Sequence, residues 1–562
     1  MKHPTTFPLL QQLHGYDRGT VRSDLIAGLT TAIMLVPQGM AYAMLAGLDP
    51  IVGLYASTVP LFVYALLGTS RQLAVGPVAM DSLLVASAIG PLAAGDPALA
   101  ISLAALLALM VGVLQLGMGF ARMGFLVKFL SHPVIAGFTS AAALIIGLSQ
   151  LGQILGIPIE RSPYIHQVLL QASQHITETN LATLGIASAS IGLLIGLKRY
   201  APRVPRFLVV VVLGTLSVRL FGLDHAGVAI VGEVPGGLPF PTLDFIDPSR
   251  IGELIAIAIT IALVGFMESI AAAKNFARVN HYEVDADQEL IALGAANALG
   301  SAFGAYPVTG GFSRTAVNAQ AGAKTGIASL FTAGTIVLTL LFLTPLFHDL
   351  PKAVLAAIIM TAVFGLIAFD EVGHLWKVSR PDLGSMAITF FATLSLGIQQ
   401  GIVIGVLASV AWFVWKTSRP HVARLGRVPG TNLYRNLERY PEAAIPEGID
   451  AIRIDAPLWF ANTAFLKATV LDTVDENTRD LVIDCKAIGS VDAQALSTIE
   501  EIVHTLEERD IRIWLAGVRG PVRDALDAAD LMERIGSEHV VERVHEAVDQ
   551  ITGAAIQPRQ AS

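Results

Sequence analysis

Charge is scarce in this chain: Asp, Glu, Lys and Arg supply 15% of its 562 residues, where an average soluble domain carries about 25%. That scarcity excludes an ordinary soluble globular protein of this length. Cysteine is nearly missing too. Cys485 stands alone, which rules out an intrachain disulfide and, in the hydrophilic part of the chain, reads as a buried, inert thiol. A strong excess of one charge is also lacking, and the net charge of −8 argues against a nucleic-acid partner. No nucleophile paired with a base and no cluster of metal ligands is found, so neither an enzyme nor a cofactor or metal site is expected. No small-residue cleavage site follows the first apolar block, which therefore reads as a retained membrane helix and not a signal peptide.

What the chain has instead is hydrophobicity in long blocks. Hydrophobic residues make up 53% of it, and the mean hydropathy is +0.62. Blocks such as "LIAGLTTAIMLVPQGMAYAMLAG" (Leu25–Gly47) and "IGELIAIAITIALVGFM" (Ile251–Met267) suit a helix of roughly 20 residues crossing a bilayer. About fourteen such spans, some short, fall between Leu25 and Trp415. Basic loops follow even-numbered spans, at Ala121–Phe129, Leu197–Phe207 and Trp415–Arg424, whereas the loop Leu223–Arg250 is acidic and rich in Gly and Pro. Both termini are therefore expected on the cytoplasmic side of a lipid bilayer, as in a bacterial inner membrane. Near residue 420 the texture changes to short β-branched runs, Ala451–Ala461, Asp480–Ala487 and Ile511–Val518, alternating with amphipathic stretches such as Asp492–Arg509. The expected organisation is a segment 1–20, an all-α transmembrane domain 21–420, a small cytoplasmic α/β domain 438–553 and a tail 554–562. Seven spans lie on each side of the acidic loop, and an odd number inverts the second copy, so two inverted repeats are expected. At an offset of 230 residues Gln38 falls on Glu268 and Pro77 on Pro307.

Two apolar segments are interrupted. In "TSRQLAVGPVAMDSLLVA" (Thr69–Ala86) Gly76 and Pro77 precede a new apolar run; in "GSAFGAYPVTGGFSRTAVNA" (Gly300–Ala319) Pro307, Gly310 and Gly311 precede Ser313 and Arg314. Such breaks start helices, and within a membrane they survive only where freed backbone lines a protein cavity. Arg314 has Glu289 and Lys324 as its nearest charged neighbours in sequence, and an arginine at a span's centre costs at least about 2.5–3.5 kcal/mol. Two half-helix N-termini, each worth about +0.5 charge, facing one another beside this arginine would form a pocket for an anion. The plainer alternative is a pair of proline-kinked helices with Arg314 satisfied by backbone carbonyls.

These residues carry a resemblance. "VPQGMAYAMLAGLDPIVGLYASTVPLFVYALLGTSRQLAVGPVA" (Val36–Ala79) and "FSRTAVNAQAGAKT" (Phe312–Thr325) resemble the signatures of the SulP sulfate-permease family, and the C-terminal part resembles its STAS domain. The resemblance runs from about residue 20 to about 553 and implies a core and a gate domain, half-helices at spans three and ten, a homodimer and an elevator-type movement. It implies an anion held by Gly76, Pro77, Val78 and Ala79 from span three and by Phe312, Ser313 and Arg314 from span ten. Gln38 and Tyr42, four apart on one helix face, would complete the site; a helix–helix hydrogen bond and a packing aromatic are their structural alternatives.

Glu268 is the acid that stands out in span eight, and burial disfavours its charged form, so it is the candidate for coupling to a proton, with sodium or a salt bridge to Arg314 as alternatives. Asp81, a turn into the span-three half-helix, reads as a solvated or hydrogen-bonded structural acid or as a second-rank coupling residue. "AGAKT" (Ala321–Thr325) imitates a phosphate loop but lacks adjacent Gly-Lys. In "SVDAQAL" (Ser490–Leu496) Ala493 stands where STAS-like proteins carry a phosphorylated serine, which leaves that domain as a scaffold or a module for a cytosolic protein partner. The expected function is secondary active sulfate uptake with protons. Bicarbonate with sodium, a C4-dicarboxylate such as fumarate or succinate, or an uncoupled anion channel remain open alternatives.

Overall fold

A computed structural model describes residues 8–13, 16–128, 132–159, 165–201 and 204–553. The expected tail 554–562, and Phe129, Pro202 and Arg203 of the basic loops, lie outside these residues. The chain divides into two compact units, Met1–Ala408 and Ser409–Ser562.

The first unit is a bundle of apolar helices. Among the described residues seven helices are long and apolar enough to cross a membrane, and three shorter apolar ones accompany them. Length alone thus recovers fewer than the expected fourteen, because helices that begin inside the bundle need not be full length. One set of helices packs together: α1 (Arg18–Ala46), α2 (Val59–Leu67), α3 (Ala79–Ala93), α4 (Pro97–Phe120), α5 (Ile251–Val279), α6 (Ala286–Ser301), α7 (Phe312–Gln320) and α8 (Ile327–Leu338). A second set comprises the helices His132–Ser149, Leu181–Tyr200, Arg206–Phe221, Lys352–Val363 and Arg380–Leu396. This division matches a core and a gate.

Small residues set the closest helix contacts. A Cβ on Gly53, in the short helix Pro50–Tyr55, would lie 2.0 Å from the carbonyl oxygen of Gly39 in α1. Backbone cannot yield as a flexible side chain would. Gly53→Ala should therefore lower stability by about 1–3 kcal/mol or more, read as a drop in the thermal midpoint of detergent-solubilised protein.

Asp24, fully buried in α1, ties the two ends of the core together. Its Oδ1 accepts from the backbone N–H of Lys324 (2.7 Å) and Thr325 (3.2 Å), and its Oδ2 from the hydroxyls of Thr325 (2.6 Å) and Tyr16 (3.1 Å). The "AGAKT" stretch is thus a turn whose donors are taken by a carboxylate of the chain itself. Glu289 in α6 is saturated in the same manner, by the backbone N–H groups of Thr69 and Ser70 and the hydroxyls of Thr69 and Tyr64.

The second unit is a six-stranded sheet in the order β4-β3-β5-β6-β7-β8, with β3 at Val422–Arg427, β4 at Tyr434–Asn436, β5 at Ile449–Ile454, β6 at Asp480–Asp484, β7 at Arg512–Ala516 and β8 at Val540–Val541. Strands β5 to β8 run parallel, and β3 and β4 add antiparallel edge strands upstream of residue 438. Alternation assigns the two faces. Ile452, Ile454, Ile513 and Leu515 pack on one side with the helices Thr463–Thr473 and Ala493–Glu507; Ile449, Ala451, Trp514 and Ala516 pack on the other with Val544–Thr552. Cys485 is buried in this core, and burial pushes its thiol up to about 12. Asp492 caps the helix Ala493–Glu507 by accepting from Ala495 N–H, and it also accepts from Phe460 N–H.

Candidate anion site

The two interrupted segments meet in the core. β1 (Val75–Gly76) pairs antiparallel with β2 (Thr309–Gly310), Val75 opposite Gly310 and Gly76 opposite Thr309. Helices α3 and α7 start just beyond these strands, so their N-termini share one centre. Their N-caps, Val78 and Gly311, are extended and carry no side-chain cap. The first helical bonds are Ser82 N–H to Val78 O and Thr315 N–H to Gly311 O. The N–H groups of Ala79, Met80 and Asp81, and of Phe312, Ser313 and Arg314, precede them and are free of backbone acceptors. The caps stand 233 positions apart, so the offset of 230 that aligned Pro77 with Pro307 misses the structural correspondence by three residues. Pro307 precedes its strand, whereas Pro77 follows its own.

Arg314 lies between the two helix starts and is 1% exposed. Its Nη1 donates to the carbonyl of Pro77 and, at 3.4 Å, to Oε1 of Gln38. Gln38 in turn donates from Nε2 to the Tyr42 hydroxyl at 3.0 Å, so Arg314, Gln38 and Tyr42 form one chain of contacts. Glycines make room for the guanidinium. A Cβ on Gly311 would lie 3.0 Å from Nη2 and one on Gly76 3.5 Å from it; Gly76 also has a φ of +155°, a conformation L side chains rarely adopt. The carbonyl-satisfied alternative is realised for one nitrogen only. Nε and Nη2 are buried with no partner among the described residues, which leaves two charge-assisted donor nitrogens unused.

Gly76, Pro77, Val78 and Ala79 are all buried. Phe312 and Ser313 are exposed, and the Phe312 ring meets that of Phe276 in α5 at a tilt of 47°, with centroids 5.7 Å apart. This edge lies toward the N-terminal end of α1: beyond Phe276, Tyr282 donates to Gln72, Gln72 donates to Ala323 O, and Asp24 holds the neighbouring turn. A cavity of about 900 Å³ lies at the opposite ends of α1 and α3, against the second helix set, and includes none of the expected site residues.

Glu268 projects from α5 toward this centre, with its Oε2 buried and unpartnered. It acts on Arg314 electrostatically, yet among the described residues it makes no ion pair within 4.0 Å. The salt-bridge alternative is therefore not realised; the guanidinium is held instead by Pro77, just beyond β1, and by Gln38 of α1. Asp81 departs from expectation more sharply. It is 0% exposed and both of its carboxylate oxygens lack a hydrogen-bond partner among the described residues, so it is neither solvated nor hydrogen-bonded there.

Ordinary polar residues absent from the expected set hold the broken backbone. Asn297 accepts from Val308 N–H (2.8 Å) and donates to its carbonyl (3.0 Å). Ser269 accepts from Gly310 N–H, Thr315 from Ala74 N–H, and Asn318 donates to Gln72 O. Tyr306, placed beside α3 by the strand register, meets Ser82 at 3.0 Å. The available signal was a polar residue inside an apolar helix, as in "LGAANALG" around Asn297. Freed backbone in a dry interior needs such partners.

Sequence profiles of the sulfate permease family and of the STAS domain match residues 21–389 and 440–547. "Sulfate transporter 4.1, chloroplastic" of Arabidopsis thaliana is 40% identical, over 97% of this chain and 82% of its own length. A probable sulfate transporter of Mycobacterium tuberculosis is 36% identical, over 95% of this chain and 96% of its own. The structure of the murine Solute Carrier 26 family member A9 anion transporter in the inward-facing state matches with a TM-score of 0.92 and 28% identity, covering 98% of this chain and 94% of that one. The transmembrane domain of a cyanobacterium bicarbonate transporter shares the fold, with a TM-score of 0.61 and 23% identity over 70% of this chain and 98% of that one. With its helical membrane unit, its α/β unit and its paired half-helices, this chain belongs to the sulfate permease family of anion transporters.

Proposed function

We propose that the chain takes up sulfate together with protons, as a secondary active transporter of the elevator type. The observation that carries this reading is the buried guanidinium of Arg314, with two unpartnered nitrogens beside two uncapped helix N-termini. Arg314 contributes one positive charge and the two N-termini together about one more. A site worth about +2 suits a dianion better than chloride or bicarbonate. Glu268 then supplies the coupling. Ionised, it cancels part of that charge; protonated, it restores the field that sulfate requires. Curated relatives named as sulfate transporters support the same substrate.

The site residues would be Gln38, Tyr42, Gly76, Pro77, Val78, Ala79, Phe312, Ser313 and Arg314, with the six free N–H groups holding the anion oxygens. The exposed edge at Phe312 and Ser313 lies on the side of the α1 N-terminus. With both termini cytoplasmic in a bacterial plasma membrane, as the basic loops favour, this conformation is open to the cytosol. The gate helices would serve a homodimer, and the STAS unit a cytosolic protein partner.

Purified protein in liposomes, offered labelled sulfate, bicarbonate, fumarate and chloride under imposed proton or sodium gradients, tests the reading. Sulfate accumulation driven by protons is the expected result. Preference for another anion or for sodium would move the assignment to that alternative, and dissipation without accumulation would make the protein a channel.

A further inference from the structure

Among the described residues of the core helices, Asp24, Asp81, Glu268 and Glu289 are the carboxyl groups nearest the strand pair, and their surroundings divide them. Asp24 and Glu289 each accept four hydrogen bonds. Asp81 accepts none, although its burial is complete. An ionised carboxylate in that position is costly without a partner, so a structural role in the pattern of Asp24 does not account for it.

The surroundings of Asp81 are specific. It is the third residue of α3, at the positive end of the helix dipole. Facing it, α5 has Gly265, where a Cβ would lie 3.2 Å from both Asp81 Oδ2 and Thr309 Oγ1. The carboxyl and the threonine hydroxyl thus border the same bare patch of helix. The Thr309 and Ser269 hydroxyls are 2.5 Å apart and both reach Gly265 O, so their protons are committed within this trio. Glu268 on α5 is the charged neighbour that acts on Asp81, and Tyr306 also interacts with it. Arg314 is engaged at β1 and α1, and Tyr42 is held by Gln38. Helix α4 carries no ionisable residue, and His132, starting the neighbouring gate helix, is exposed and paired with Glu371.

We propose that Asp81 is a second proton-binding site, which with Glu268 loads two protons for each sulfate. This rests on the reading of the chain as a proton-coupled sulfate carrier. Charge balance supports it. Arg314 and the two helix ends amount to about +2, which the two ionised acids match when the site is empty and sulfate matches when both acids are neutral. The buried centre stays near neutrality at both stages, the condition a low-dielectric site favours. Transport is then electroneutral.

The test counts protons per sulfate in liposomes from the pH gradient that holds a sulfate gradient at zero net flux, at several clamped membrane potentials. Wild type is expected to give two, independent of potential, and Asp81→Asn one, with potential dependence. Each lost proton lowers accumulation about tenfold per pH unit. A wild-type count of one, or an unchanged count in Asp81→Asn, overturns the proposal while leaving Glu268 coupling intact. Absence of any proton drive in wild type would overturn the coupling reading as well. Infrared spectroscopy supplies a readout that needs neither turnover nor an Asp81 variant. In Glu268→Gln with sulfate bound at acidic pH, a protonated-carboxyl band should appear above the ordinary carboxylate range and shift on isotopic labelling of aspartate carboxyls. No such band would overturn the assignment.

Discussion

Arg314→Ala is expected to weaken sulfate binding by roughly a hundredfold. The side chain offers two buried, unpartnered nitrogens, Nε and Nη2. A hydrogen bond to a charged group contributes about 1.5–3 kcal/mol, so losing two costs at least about 3 kcal/mol, at 1.4 kcal/mol per decade of affinity. Arg314→Lys keeps the charge without the planar fork and should fall between. Titration calorimetry, or the sulfate-induced rise in thermal midpoint, measures both variants. Because, among the described residues, the Arg314 side chain bonds only Pro77 and Gln38, the sulfate-free midpoint should move far less than that of Gly53→Ala. Unchanged sulfate affinity in Arg314→Ala would remove the arginine from the site.

Glu268→Gln should cost the protein one coupled proton. Glutamine imitates the neutral acid, so the positive field around Arg314 is retained and sulfate still binds. What is lost is the share of the pH response that Glu268 carries. On the proposed coupling, acidification in the wild type would neutralise Glu268 and restore the field, so sulfate affinity should rise as pH falls. With glutamine that contribution is fixed in its loaded form, and steady-state accumulation drops about tenfold per pH unit of imposed gradient. Uptake of labelled sulfate into liposomes with an acidic exterior reports the difference. Accumulation equal to wild type would exclude Glu268 as a coupling residue. The two substitutions separate cleanly, since one should damage affinity and the other coupling.

Much of this site was legible because its signals are local. Gly76 with Pro77, and Gly310 with Gly311, interrupt apolar runs and so announce helix starts. Arg314 and Glu268 stand out because charge inside an apolar span is expensive. Asn297, Ser269 and Thr309 were passed over, since a single neutral polar residue in such a helix is common and its partner lies elsewhere in the chain. The two-residue strands β1 and β2 are too short for an alternating pattern to show, and the spacing of the two prolines misplaced the repeat by three residues.

Hydrophobicity sums residue by residue along the chain, so the sequence by itself determined the membrane helices, the breaks within them and the alternating texture of the C-terminal α/β unit. Hydrogen-bond pairing depends on which distant segments come within about 3 Å, and no local pattern carries that information. Only the tertiary structure decided that Val75 faces Gly310, that Pro77 and Gln38 rather than Glu268 engage Arg314, and that Asp24 is saturated while Asp81 has no hydrogen-bond partner among the described residues. The last difference separates an acid that fastens the fold from one free to bind a proton, and it follows from burial without a donor in reach.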